Sequence, residues 1–319
     1  MASSNNSSYS VNYFDYNTYS ASVDYLRSHL PPTLQSISLG VVCGSGLGGL
    51  VDCFDADKIE FNYADIPHFP HSTVQGHAGK FVFGTIAGVP TVCMLGRMHV
   101  YEGHSPVLSV FPIRIMKLLG ATNLIVTNAA GGLNKTFNVG DFMIIGDHVS
   151  LAGMGGQNAL IGHNIDAFGP RFPPVSDAYD FDLRVKAAKA GITLNLGSTL
   201  REGVYTFVCG PSFETRAEAR FLRDGCHGDC VGMSTVPEVV VAKHAGMKVL
   251  GLTLITNKVS VGYGRSPIEQ AKVELGLAPA NQHTLDDELQ LASHAEVLET
   301  SKHRSVVFCE FVKTIIQSL

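Results

Sequence analysis

Arg97, His99 and Tyr101 stand at alternate positions in Gly96-Arg97-Met98-His99-Val100-Tyr101-Glu102-Gly103, directly after the apolar run 89–95. If that segment is extended, the three side chains share one face. A planar guanidinium fork flanked by two oriented donors suits a ligand that is both anionic and hydroxylated. The plain alternative is a solvated edge strand. The cluster Gly44-Ser45-Gly46-Leu47-Gly48-Gly49 offers a second anion cradle, made of backbone N–H groups and the Ser45 hydroxyl. The same cluster carries the G-x-G-x-x-G spacing of dinucleotide-binding turns. That reading requires a helix of several turns and then a strand ending in an acid. Residues 47–54 are too few for such a helix, and Asp65 is followed at once by Ile66-Pro67. A purely structural turn is the third reading of this cluster.

Four more clusters carry polar groups at predicted strand ends. In Thr127-Asn128-Ala129-Ala130-Gly131-Gly132-Leu133 the small residues let a ligand approach the backbone, or simply make a tight turn. In Gly210-Pro211-Ser212-Phe213-Glu214-Thr215, Phe213 and Glu214 offer a flat apolar face and a carboxylate to a heterocycle, while Thr215 reads as a helix cap. Val231-Gly232-Met233-Ser234-Thr235-Val236-Pro237-Glu238 reads as a helix start, with Ser234 or Thr235 paired to Glu238 in a capping box. A free hydroxyl at a helix N-terminus suits phosphate. Ile255-Thr256-Asn257-Lys258-Val259 places polar groups at the exit of a buried strand. His77 is a lone histidine, a type more often structural than catalytic. Cys226-His227-Gly228-Asp229-Cys230 lacks the matching second half of a structural zinc site, so no metal is expected. Neither a G-x-S-x-G elbow nor H-E-x-x-H occurs.

The elements that must hold these groups alternate. Strands are predicted over 37–43, 80–86, 89–95, 123–127, 142–145, 205–209 and 248–256. Helices are predicted over 19–30, 106–119, 215–223, 236–245 and 284–317, and residues 1–18 read as a polar, frayed tail. This alternation predicts a single α/β domain over 19–319, with a mixed, largely parallel sheet flanked by helices. Ligands in such sheets bind beyond the C-terminal strand ends. The segment 262–290 reads as an inserted loop and helix.

The chain has 319 residues, enough for a core that needs no disulfide staples. Its net charge is −5 and its cations are scattered, which argues against a nucleic-acid surface. Seven irregularly spaced cysteines fit a reducing compartment. The N-terminus lacks a secretory pattern and no apolar run is long enough to span a membrane, so a cytoplasmic location is expected.

Taken in order, CGSGLGGL, VQGHAGKFVFG, GRMHVYEGH, TNAAGGLN, DHVSLAGMGGQN, FGPRFPPVSDAYD, GPSFETRAE, VGMSTVPEVVVA and ITNKV resemble the trimeric purine nucleoside phosphorylases from about residue 20 onward. The resemblance implies the nucleoside phosphorylase fold and phosphorolysis of inosine, guanosine and their 2′-deoxy forms to free base and pentose 1-phosphate. It implies phosphate held by Ser45, Arg97, His99, the Ala129 backbone and Ser234, with His77 beside them. It places Tyr101, Met233 and a C-terminal histidine at the ribose. His294 fits that role better than His283. Around the base it places Phe213, Glu214, Val231, Thr256, Asn257 and Val259, with His99, Glu214 and Asn257 as the catalytic set. Phe172 would enter a neighbouring subunit's site in a homotrimer. No cofactor is implied beyond phosphate as co-substrate. Relatives that cleave methylthioadenosine share the scaffold and form the alternative, but Glu214 and Asn257 favour a 6-oxopurine. The chain departs from the family pattern by one extra residue near Cys226–Cys230 and by the long 262–290 segment. A dinucleotide-dependent oxidoreductase, resting on the glycine cluster alone, and a binding protein without turnover are the readings from other classes.

Overall fold

Strand β1 (Leu39–Cys43) is buried at every position, and it lies where that is required, inside a sheet covered on both faces. The computed structural model describes residues 11–55, 58–70, 78–279 and 293–319. β1 runs parallel to β4 (Val89–Leu95) on one side and to β5 (Asn123–Gly132) on the other. Beyond β4, β3 (Lys80–Ile86) and the edge strand β2 (Ile59–Asn62) follow antiparallel. Beyond β5 the sheet closes on itself. β5 pairs with β9 (Lys248–Lys258) and, at its far end, with β8 (Cys230–Gly232). β8 continues to β7 (Leu200–Phe207), β7 to β6 (Phe142–Ser150), and β6 returns to β9. The result is a nine-stranded mixed sheet, an open arm joined to a five-stranded ring. Of the pairings described, five are parallel and four antiparallel.

Two apolar layers flank the sheet. One holds α1 (Tyr16–His29), α2 (Pro106–Ser109), α3 (Phe111–Leu118) and α7 (Val236–His244), which contribute Tyr19, Leu26, Phe111, Ile115 and Val239. The other holds α5 (Phe181–Thr193) and α9 (His294–Ile316), which contribute Leu183, Ala187, Phe308, Phe311 and Ile315. Along β1, Leu39, Val41 and Cys43 face the second layer and Val42 the first, the two-residue period of a strand. Three shorter α-helices complete the set among the described residues: α4 (Leu151–Met154), α6 (Arg216–Arg220) and α8 (Pro267–Glu274).

Several elements differ from the sequence expectation for identifiable reasons. Residues 11–18 are not a frayed tail. Thr18 and Tyr19 donate to the Asn12 and Tyr13 carbonyls, Tyr13 packs edge-on to Phe111, and α1 starts at Tyr16; residues 1–10 lie outside the described residues. The 106–119 helix is two pieces, broken at Val110, because Pro112 lacks the N–H needed to continue the ladder. No turn follows Thr127. Small residues let β5 run on to Gly132 with its backbone paired to both β9 and β8. The glycine cluster opens a short 3₁₀ helix, Gly48–Cys53, which excludes the dinucleotide arrangement. β2, β8 and α5 were not anticipated; β2 and β8 are too short for a period to register, and α5 is rich in alanine and lysine. α8 falls in the 262–290 segment read as an inserted loop and helix, of which residues 280–290 lie outside the described residues. The 284–292 part of the last predicted helix lies outside the described residues, and α9 begins at His294.

At Gly44 the chain leaving β1 passes close against β5. A Cβ there would lie 2.7 Å from Asn128 Cα and 2.8 Å from the Thr127 carbonyl oxygen, both backbone atoms. Gly44→Ala should therefore cost about 1–3 kcal/mol and lower the unfolding midpoint in urea or heat. An unchanged midpoint would show that the two strands can separate at this point without cost.

Candidate functional site

The C-terminal ends of β1, β4 and β5 converge beside the start of α7. Where β1 stops, the Gly44 N–H donates to Thr127 Oγ1 at 3.0 Å, and Thr127 Oγ1 donates to the Val42 carbonyl at 2.8 Å. This fixes the turn that presents Ser45. Beyond β4, Arg97 is 3% exposed, so its charge needs local compensation. Its Nε donates to Glu238 Oε1 at 2.8 Å, one terminal nitrogen to Ser234 Oγ at 2.9 Å, and the other to the Thr127 carbonyl at 3.1 Å. Glu238 is equally buried.

Ser234 and Glu238 reach Arg97 from either side of Thr235, the residue just before α7. Thr235 has φ 75° and ψ −56°, and the Val236 N–H donates to the Ser234 carbonyl at 2.8 Å. That is a γ-turn of the rare positive-φ kind, strained for a β-branched residue by about 1–3 kcal/mol. Asn128 Nδ2 holds it by donating to Thr235 Oγ1 at 2.9 Å. The capping box expected here does not form, because Thr235 makes no side-chain cap and Glu238 turns to Arg97 instead.

His99 and Tyr101 are not on an extended face. Val100–Glu102 is a 3₁₀ turn, locked by Glu102 Oε1 accepting from the His99 N–H at 2.7 Å. The turn stacks the His99 and Tyr101 rings at 4.5 Å and 14°, and both still reach the same cavity as Arg97. Burial, with Glu102 nearby, pushes the Tyr101 hydroxyl up to about 12, so it remains a proton donor at neutral pH.

The other end of the cavity depends on an irregularity in β9. Ala130 pairs with Ile255 but Gly131 pairs with Asn257, so Thr256 is an additional residue, a β-bulge. The bulge brings Thr256 and Asn257 side by side on the cavity wall. The Thr256 hydroxyl lies 3.2 Å from Asn257 Oδ1 and 3.3 Å from the Ala130 carbonyl. With Oδ1 engaged, the Nδ2 hydrogens of Asn257 are the part of the amide left for a ligand acceptor. Opposite, the loop after β7 supplies Phe213 and Glu214. Burial holds the Glu214 carboxyl above its ordinary range, with Glu218 adding to the effect. Thr215 and Glu218 form a reciprocal capping box and serve α6.

The cavity has a volume of about 310 Å³. Ser45, Arg97, His99, Ala129 and Ser234 line one end; Phe213, Glu214, Val231, Thr256 and Asn257 line the other, with Tyr101, Met233 and His294 also on the wall. His294 opens α9, whose N-terminus is capped by Ser293 and whose Thr300 hydroxyl donates to the Thr256 carbonyl at 3.2 Å. Val259 is not on the wall. It packs behind it with Leu133, Ala219, Leu222 and Val231, because Gly131 leaves room for its methyl group. Phe172 is 88% exposed and away from this cavity. His77 and His283 lie outside the described residues. Sequence reasoning missed Val208 and Val297 on the wall and the role of Glu238; the helix-start pattern of Glu238 masked its ion pair. Among the described residues no group of three or more His, Cys, Asp or Glu could hold a metal, and all seven cysteines are free thiols.

The chain matches the phosphorylase superfamily over residues 38–317. It is 46% identical to the purine nucleoside phosphorylase of Rattus norvegicus over 308 residues, 97% of each chain. The crystal structure of Schistosoma mansoni purine nucleoside phosphorylase in complex with inosine superimposes with a TM-score of 0.83 at 37% identity, covering 96% of this chain and 98% of that one. The same Schistosoma mansoni enzyme in complex with adenosine gives 0.82 at 38% identity, with the same coverage.

The environment of Glu214 sets a direct test. Its folded-state pKa is raised by burial, so its carboxylate should pick up a proton at a higher pH than an ordinary glutamate of 4.5. A carboxyl-carbon NMR titration should show one such resonance, absent in Glu214→Gln. A Glu214 resonance titrating at or below 4.5 would contradict the burial argument.

Proposed function

The chain belongs to the phosphorylase superfamily, among its purine nucleoside phosphorylases, and from that premise we propose that it prefers 6-oxopurine nucleosides, inosine and guanosine with their 2′-deoxy forms. Its reaction is phosphorolysis of purine nucleosides. A phosphate oxygen bonds to C1′ as the C1′–N9 bond breaks, through a transition state with oxocarbenium character. The base leaves with the bonding pair and takes up a proton. The products are the free purine and pentose 1-phosphate. The equation balances with phosphate as co-substrate and calls for no other cofactor and no covalent protein nucleophile.

The observation that carries the substrate preference is the pairing of a half-buried carboxylate, Glu214, with the bulge-borne Asn257 across one cavity. A 6-oxopurine has N1–H as a donor and O6 and N7 as acceptors. Glu214 accepts from N1–H, and Asn257 Nδ2 donates to N7 or O6. Negative charge accumulating on the leaving purine is stabilised by these same bonds. At the other end Arg97, Ser45, Ser234, His99 and the Ala129 backbone hold phosphate for attack, which removes much of the entropic barrier. Tyr101, Met233 and His294 sit at the ribose between them.

The site is completed by a second copy. Phe172, on a loop that leaves its ring 88% exposed, is the side chain offered to a neighbour in a homotrimer. Free thiols, and the lack of any described helix long and apolar enough to cross a membrane, are compatible with a cytoplasmic location.

Four measurements test these readings. Inosine cleavage should require phosphate; equal rates without it would exclude phosphorolysis. Inosine and guanosine should exceed adenosine in kcat/KM by about 10⁴-fold, since adenosine sets Glu214 against the N1 lone pair. Asn257→Asp should lower inosine activity and raise adenosine activity in relative terms, and an unmoved ratio would mean that Asn257 does not read the 6-position. Sedimentation should show a trimer that loses activity with Phe172→Ala; a fully active monomer would exclude the shared site.

A further inference from the structure

We infer that Glu238, which does not line the cavity, is the positioning residue for phosphate, fixing the plane of the Arg97 guanidinium. The inference rests on the reading above that Arg97 receives the anion. A lone arginine side chain has many rotamers, and an anion that had to organise it would lose part of its binding energy in doing so. Here each guanidinium nitrogen meets an acceptor from a different part of the fold: Nε meets Glu238 on α7, one terminal nitrogen meets Ser234 ahead of the γ-turn, and the other meets the Thr127 carbonyl on β5. A planar group held at three nitrogens can neither rotate in its plane nor tip out of it. Of the three acceptors Glu238 alone is charged, so its bond is the strongest.

The backbone around Glu238 supports a positioning role beyond a simple ion pair. Glu238 lies four residues after Ser234, and between them the chain makes its strained turn at Thr235, tethered by Asn128. That local conformation is maintained where Arg97 meets the cavity. Simple charge balance would not require it, because a buried guanidinium could be neutralised from any direction.

Glu238 also carries a negative charge close to where phosphate would sit, so two effects oppose each other. Orienting Arg97 favours phosphate, and charge repulsion disfavours it. Steady-state kinetics on E238Q, E238D and E238A, with thermal unfolding of each, separates them. Glutamine keeps an acceptor at the same reach without the charge. Aspartate keeps the charge with a shorter reach. If Glu238 positions Arg97, E238Q keeps a phosphate KM close to that of the unaltered protein. E238D raises it, and E238A raises it about 10- to 100-fold with the inosine KM little changed. The inference is overturned if E238D behaves as unaltered while E238Q does not, since charge alone would then matter. It is overturned equally if phosphate KM falls in E238Q and E238A, or if the variants lose kcat and thermal stability with both KM values unmoved. If E238A does not fold, the opposite behaviour of E238Q and E238D decides the matter. Arg97→Ala is the control for the premise: an unchanged phosphate KM in that variant rejects Arg97 as the anion residue, and with it the role of Glu238.

Discussion

A guanidinium that is 3% exposed cannot stay charged inside a protein unless the fold surrounds it with acceptors, and much of this architecture meets that demand at Arg97. The Thr127 carbonyl must point at it, which fixes the end of β5. Ser234 and Glu238 reach it together from either side of the positive-φ turn at Thr235. Asn128 must hold that turn, so two consecutive residues of β5 are committed to one arginine, Thr127 directly and Asn128 through Thr235. Thr127 also serves β1 through its hydroxyl, so the same short stretch aligns the glycine turn that bears Ser45. The polar end of the cavity is therefore a single hydrogen-bonded unit drawn from β1, β4, β5 and α7.

The opposite end is organised by a different constraint. Five strands close into a ring, and a closed ring has no edge where an irregular strand can splay away. Thr256 is accommodated as a bulge, with its hydroxyl between Asn257 and the Ala130 carbonyl. The bulge aims Asn257 inward, and α9 is tied to the same place through Thr300. Most of the cavity wall thus consists of side chains whose positions come from strand register, with the loop after β7 contributing Phe213 and Glu214.

The legibility of these features in the sequence follows their physics. Strands β3 and β4 were readable to the residue, because apolar runs bounded by Gly88 and Gly96 leave little choice. The residues that line the cavity were readable because polar groups clustered at predicted strand ends, and their ordered set matched a family. Long-range partnership was not readable. Glu238 fits a helix start equally well, and nothing local distinguishes a capping carboxylate from one that pairs with an arginine 141 positions away. Val259 alternates like a wall residue, but Gly131 opposite leaves a hollow that draws it behind the wall. The extension of β5 through small residues was hidden for a related reason. Its pairing is made by backbone atoms, and backbone hydrogen bonding leaves no side-chain pattern to read.

The bulge at Thr256 acts as a frameshift written into the two-residue period of β9. Up to Ile255 the even-numbered side chains Leu250, Leu252 and Leu254 face one layer, and Val249 and Ile255 face the other. After Thr256 the parity inverts, so that Asn257 takes the side an even number would have held. Substitutions in this strand alter one side chain at a time and leave the frame intact. A lost or gained residue shifts every position beyond it to the wrong side, and the ring prevents the error from being absorbed at an edge. A change of one residue in the length of β9 should therefore disturb the fold more than a substitution at any single one of its positions, buried as most of them are.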